Sequence, residues 1–226
     1  MLDGKRLTFE TFGLLDDVFR MKDRETGTIW THLDGKAIAG PLEGQRLTMI
    51  PLPQTTWGEW KTAYDDTLIL SSETPFSDRY VRPVQIGVFN PREANYGDDR
   101  LPFNILVVGV EIGGVFKGYP LFDLALAGGV VNDAVGGMPI VVVYDQIART
   151  GLAYLRQHDG QILEFYNASD DGYEIRDRET GLLWDIHGRK KAGSGEEVRL
   201  EFVPSFITEW YGWSAYHPES QLYLAE

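Results

Sequence analysis

Along most of this chain hydrophobic and polar positions alternate in short runs, the pattern of half-buried β-strands rather than of long helices. The alternation is clear at Arg6–Phe9 and again at Ile162–Phe165. Ile105–Glu111 and Val115–Tyr119, parted by Gly113-Gly114, predict a hairpin. The nearly unbroken apolar run Pro139–Tyr144 predicts a strand covered on both faces. Asp3-Gly4, Asp34-Gly35 and Asp159-Gly160 are Asp-Gly turn signals, because both residues tolerate positive φ. Short helices are predicted at Pro120–Ala127, at Trp57–Tyr64 behind Thr55-Thr56, and at Glu209–Tyr216 behind Thr208. The last two are expected to carry threonine caps, and Thr56 with Glu59 spells a capping box. Strand-like Thr67–Leu70 and Gln221–Leu224 follow those two helices.

A second pattern lies over the first. MKDRETGTIW at Met21–Trp30 returns as IRDRETGLLW at Ile175–Trp184. Pro51, Trp57 and Trp60 return as Pro204, Trp210 and Trp213, with one residue dropped in between. Asp3-Gly4, Leu7 and Phe9 return as Asp159-Gly160, Leu163 and Phe165. The chain therefore reads as one unit present twice. Residues 1–74 form a first copy lacking its front half, 75–100 an irregular Pro- and Gly-containing linker, and 101–226 a complete second copy. The second copy has an extra front half, about Leu101–His158, whose counterpart in the first copy would be expected ahead of Met1. The fold class expected is α+β, predominantly β, with two pseudo-repeated β-rich lobes, each bearing a short tryptophan-carrying helix. Tryptophans at i and i+3 share one helical face, which places them in the core with low indole exposure.

Composition narrows the function classes. The 226 residues are 43% hydrophobic, ample for a core, and carry a net charge of −13. That balance argues against nucleic acid or an anionic membrane as partner. Cysteine is absent, which removes disulfides, thiolate nucleophiles and Cys-type zinc sites. The longest apolar runs are far too short for a membrane span, and residues 1–12 lack the features of a signal peptide. The chain reads as soluble. Strand-like sequence so soon after Met1 implies a shortened product, so the compartment is not written in these residues.

Candidate chemistry is sparse. Asp23, Glu25, Asp177 and Glu179 recur, yet an aspartate that opens a turn caps backbone N–H groups, reason enough to recur. Asp16-Asp17 and Asp170-Asp171 read as solvated loop ends, lacking a calcium-loop spacing. His32, His158, His187 and His217 stand apart, in no metal-binding spacing. His32 follows Trp30 on the same expected strand face and reads as a hydrogen-bonded, partly buried histidine or a ligand contact. No serine elbow and no phosphate-binding glycine fingerprint is present. Asn132-Asp133 reads as an Asx turn. No catalytic residue, metal ligand or cofactor is assigned.

Three stretches carry a resemblance. DRETGTIWTHLDGKAIAGPLEGQRL (Asp23–Leu47), the segment Pro51…Thr56-Trp57-x-x-Trp60, and KGYPLFDL…VVNDAVGGMPIVVVY (Lys117–Tyr144) resemble the DUF3179 family of bacteria and archaea, which has no established activity. Members usually carry Cys-Pro-x-Cys, sometimes with selenocysteine, just after a Val-x-Tyr strand end. Here Val142-Val143-Tyr144 is followed by Asp145-Gln146-Ile147-Ala148, and Gly128-Gly129 replaces a His-Glu pair often found before the Asn-Asp. The resemblance implies a pocket shared by Tyr119, Asn132, Asp133 and Asp145, with Asp145 standing in the cysteine position. Two readings of function follow. One is a non-catalytic binding or interaction module, or a remnant of a larger family member, with a small-molecule or protein partner. The other is an enzyme or thiol/metal redox protein whose reactive motif lies upstream of residue 1. A hydrolase using acids from both lobes is a third, requiring a facing carboxylate pair.

Overall fold

A computed structural model describes residues 4, 6–15, 18–77, 98–169, 172–191 and 198–225. Asp3, Asp16-Asp17, Asp170-Asp171 and residues 78–97 of the expected linker lie outside them. The protein is α+β and predominantly β. Strands β1 (Phe9–Leu15), β2 (Val18–Asp23), β3 (Ile29–Thr31) and β4 (Ala37–Ala39) form one antiparallel meander in chain order. Helix α1 (Trp57–Ala63) follows. Then come β5 (Leu106–Ile112), β6 (Val115–Pro120), α2 (Leu121–Leu126), β7 (Val130–Val135), β8 (Met138–Asp145) and β9 (Thr150–Leu155). A small hairpin, β10 (Gln157–His158) and β11 (Gln161–Ile162), leads to a three-stranded sheet, β12 (Phe165–Asn167), β13 (Ile175–Asp177) and β14 (Leu183–Trp184). β15 (Phe202–Val203), β16 (Ser205–Glu209), α3 (Trp210–Tyr216) and β17 (Gln221–Leu222) complete the order.

The core lies between two four-stranded sheets, β15-β9-β8-β7 and β16-β5-β6-β17. β15 and β16 are one run broken at Pro204, so a single segment feeds both sheets. Val108, Val110, Tyr119, Val131, Ile140, Val142, Ala153 and Val203 meet between them, with Leu124 of α2. Val141 and Val143 point the other way, onto Leu163, Phe165, Ile175 and Trp184. Strand β8 is thus covered on both faces, which accounts for its unbroken apolar sequence. The Asp159-Gly160 signal turns β10 into β11, both residues at positive φ (48° and 76°), as a two-residue hairpin turn requires.

Helix α3 is seated by glycine. Gly109 and Gly118 are cross-strand partners on β5 and β6. A Cβ on Gly109 would lie 2.3 Å from Trp213, and one on Gly118 would lie 3.0 Å from Trp210. The missing side chains are the room into which the two indoles pack, each worth roughly 150–250 Å² of buried surface.

Outside the candidate site the structure departs from expectation in five places. The first strand begins at Phe9 rather than Arg6, and Gln161–Ile162 and Phe165–Asn167 are separate strands. Thr208 is a strand residue paired with Val107, so Glu209 occupies the α3 N-cap, and its side chain makes no capping bond to the helix. At α1, Thr56 Oγ1 does accept from the Glu59 N–H, but the Thr56 N–H is taken by the Ala148 carbonyl, leaving the box half-made. Thr67–Leu70 forms no strand: its counterpart Gln221-Leu222 has β6 to pair with, whereas no strand flanks Thr67–Leu70 among the described residues. Finally, Trp30, Trp184, Trp210 and Trp213 are buried, but Trp57 is 51% exposed. Nothing equivalent to β5 and β6 lies over α1 among the described residues.

Candidate functional site

The recurring carboxylates are built into turns. Asp23 Oδ2 accepts from the Trp30 indole at 2.8 Å, while Oδ1 accepts the Thr26 N–H at 2.6 Å. Asp177 repeats this with Trp184 at 2.9 Å and Thr180 at 2.6 Å. Glu25 accepts the Thr8 N–H and Glu179 the Glu164 N–H, both at 2.8 Å. Burial pushes both aspartates up, but the indole and threonine donors outweigh it and hold them below the usual carboxylate range. Their lone pairs are committed to neighbours, so these groups are structural.

Of the residues the sequence singles out, Tyr119 and Asp133 come together. The Tyr119 hydroxyl donates to Asp133 Oδ2 at 2.8 Å, and Lys117 Nζ lies 2.6 Å from the same oxygen. Asp133 Oδ1 accepts the Ala134 N–H at 2.7 Å. Burial raises Asp133, and Lys117, Tyr119 and the Ala134 N–H reverse that, keeping it ionised. Burial and the adjacent Asp133 charge drive the Tyr119 phenol well above its ordinary value. Because β6 and β7 belong to different sheets, this cluster ties the two sheets together.

Asn132 points away from it. As neighbours on one strand, Asn132 and Asp133 face opposite sides. The Asn132 amide donates to the Phe165 carbonyl at 2.7 Å and accepts the Phe165 N–H at 2.9 Å, joining β7 to β12. The expected Asx turn does not form, since both residues pair with β8. Asp145 lies at the far end of β8, beyond the reach of Asp133, which pairs with Ile140. Its Oδ1 accepts the Ile147 and Ala148 N–H groups at 2.8 and 3.0 Å. The four residues therefore do not share one pocket. His32 is exposed, its ring 5.5 Å from Phe19 and its Nδ1 3.3 Å from the Phe19 carbonyl. Strand β3 ends at Thr31, so the alternation that buries Trp30 stops before His32.

Asp145 does line a cavity of about 130 Å³, shared with Trp60 of α1, its C-cap Tyr64, Thr150, Ile186 and His187. Burial lowers His187, which favours its neutral form. A wider hollow of about 490 Å³ lies alongside, between Gln54, Thr56, Leu106, Tyr144, Arg149 and Ile207. Sequence reading missed both, because each depends on residues of the 53–64 stretch meeting distant strands. Among the described residues, no helix is long and apolar enough to cross a membrane.

No curated protein and no solved structure matches the chain. A family model, described as a protein of unknown function, matches residues 1–220. The chain belongs to the DUF3179 family.

Proposed function

We propose that this chain acts as a non-catalytic interaction module whose N-terminal part, residues 1–74, receives another folded unit. One observation carries the reading: the segments on either side of α1 expose large apolar side chains. Leu52, Trp57 and Ile69 are exposed, and Leu68 and Leu70 are 96% exposed. Leaving such side chains in water forgoes about 25 cal/mol per Å² of burial, and extended apolar patches on folded proteins mark interaction sites. The commitment of Asp23, Asp177, Asn132 and Asp133 to structural bonds agrees with a binding rather than a catalytic role.

Sedimentation velocity tests the reading. The chain is expected to self-associate as its concentration rises. A combined Leu52→Asp, Leu68→Asp, Leu70→Asp variant is expected to stay monomeric with unchanged circular dichroism. A wild-type chain that remains monomeric, with Trp57 inaccessible to acrylamide, refutes it.

A second reading is favoured by the placement of Asp145: a small molecule in the cavity shared with Trp60 and His187. A fragment screen read on the Trp60 indole resonance tests it, with Asp145→Ala expected to abolish any shift seen.

A further inference from the structure

One hollow holds polar groups that the fold leaves unused. It measures about 490 Å³ and lies where β8 ends and β5 begins. Leu121, Tyr144 and Ile207 of its wall also pack into the cluster between the two four-stranded sheets. Leu106 extends that apolar side, and Arg149 enters from the turn joining β8 to β9.

Tyr144 is only 8% exposed, yet its hydroxyl has no hydrogen-bond partner among the described residues. A buried hydroxyl without a partner forgoes a bond that water would give it. This one is not sealed in, and the hollow is the space beside it. Burial pushes the phenol up, with the Arg149 charge opposing and Asp145 assisting, so it stays protonated and able to donate.

Arg149 supplies the charge. Among the described residues its guanidinium makes no ion pair or hydrogen bond, and no other charged side chain lines the hollow. Its backbone sits at φ 55°, in the left-handed region where glycine is at home and a longer residue is strained. The turns after Asp23 and Asp177 place Gly27 and Gly181 in that region, at 76° and 68°. An arginine there is accounted for by its side chain rather than by the turn.

We propose that this hollow binds a small monocarboxylic acid with a hydrocarbon tail. The Arg149 guanidinium takes the carboxylate through paired N–H groups, and the Tyr144 hydroxyl donates to the same group. The tail lies against Leu106, Leu121 and Ile207. A single lining cation suits a single negative charge, and Asp145, whose charge already acts on Tyr144, opposes a dianion. Asp145 lines the neighbouring cavity and not this one, so the site goes beyond both functions proposed above.

An amide chemical-shift titration of the full chain with hexanoate tests the site, read at Tyr144, Arg149 and Ile207. Hexanoate is expected to shift all three saturably. Hexanol, hexylammonium and hexyl phosphate are expected to bind more weakly, the first by about tenfold or more. Tyr144→Phe is expected to weaken hexanoate about tenfold with the fold unchanged, because the hydroxyl it removes has no partner in the protein. Arg149→Gly is expected to abolish the shifts while melting no lower than the wild type, since glycine relieves the left-handed position. A wild-type chain without a saturable hexanoate shift overturns the proposal. So does any of the three comparison compounds binding as tightly as hexanoate, or hexanoate binding that survives Arg149→Gly at full strength. Should Arg149→Gly fail to fold, Tyr144→Phe decides, and an unchanged hexanoate affinity there overturns the proposal.

Discussion

The indole N–H of Trp184 donates to Asp177 Oδ2 at 2.9 Å, an ionised carboxylate and a tryptophan locked together with no solvent contact at the aspartate. Both carboxylate oxygens are surrounded by donors, since the Thr180 N–H and hydroxyl take Oδ1. Asp177→Asn would turn an amide N–H₂ toward one of those donors. It is expected to cost about 2–4 kcal/mol in urea unfolding. The pH dependence follows from the direction of the shift. A carboxyl held below its ordinary value adds stability that is present above the unfolded value of about 4 and is lost as pH falls through the folded one. The acid limb of the stability curve should therefore be shallower in Asp177→Asn than in the wild type.

The Asp-Arg-Glu-Thr-Gly turns were legible because the bonds that close them are local: Asp23 to Thr26, and Asp177 to Thr180, lie three residues apart. The β5–β6 hairpin and the doubly covered β8 were legible for the same kind of reason, since each strand states its own environment in its pattern. What failed depended on distant partners. Thr208 looks like a helix cap until β5 claims it as a strand residue. Thr67–Leu70 looks like a strand but has none beside it among the described residues. Asn132 and Asp133 look like a turn, and only β8 and β12 reveal them as strand residues facing opposite ways. The Asp145 cavity needed α1, about ninety residues earlier in the chain, to close it.

Asn132 makes a sharper test of the fold. Its amide donates to the Phe165 carbonyl and accepts the Phe165 N–H, standing in for a missing stretch of strand. Asn132→Ala strands two buried backbone groups, at about 1–3 kcal/mol each. Asn132→Asp should be worse at neutral pH, because a carboxylate then faces the Phe165 carbonyl. As pH falls, the protonated acid can donate again, so this variant should regain stability relative to Asn132→Ala. Parallel urea titrations at neutral and acid pH check the crossover.

His217 is expected to govern stability in mild acid. Its ring stacks on Phe116 at 3.8 Å and lies 4.5 Å from Trp213, with Nε2 buried and without a hydrogen-bond partner among the described residues. Burial pushes its pKa down to about 4, with Asp34 and Glu111 opposing and Arg46 and Lys36 assisting. The unfolded chain binds this proton near pH 6.5, so stability is full above that value and falls as pH drops toward 4. The loss is on the order of 3 kcal/mol. His217→Phe should flatten that window while keeping the stack, and NMR titration of the ring should show no protonation above pH 5.

Two glycine-to-alanine substitutions should have opposite signs. At Gly109 the new methyl would lie 2.3 Å from Cζ3 of Trp213, in a buried pocket whose other wall is α3. The indole cannot yield without leaving its cluster with Val107 and Trp210. Overpacking of this kind costs about 1–3 kcal/mol or more, and Gly109→Ala should also shift the near-ultraviolet signal of the displaced tryptophan. Gly58, in α1 of the N-terminal part, has nothing within 4 Å of an added Cβ and an ordinary negative φ. There alanine removes backbone freedom from the unfolded chain and should stabilise by about 0.4–1 kcal/mol. Thermal melts of the two variants beside the wild type check both signs. A neutral Gly109→Ala would mean that the Trp213 indole does not rest on the β5–β6 glycines in solution.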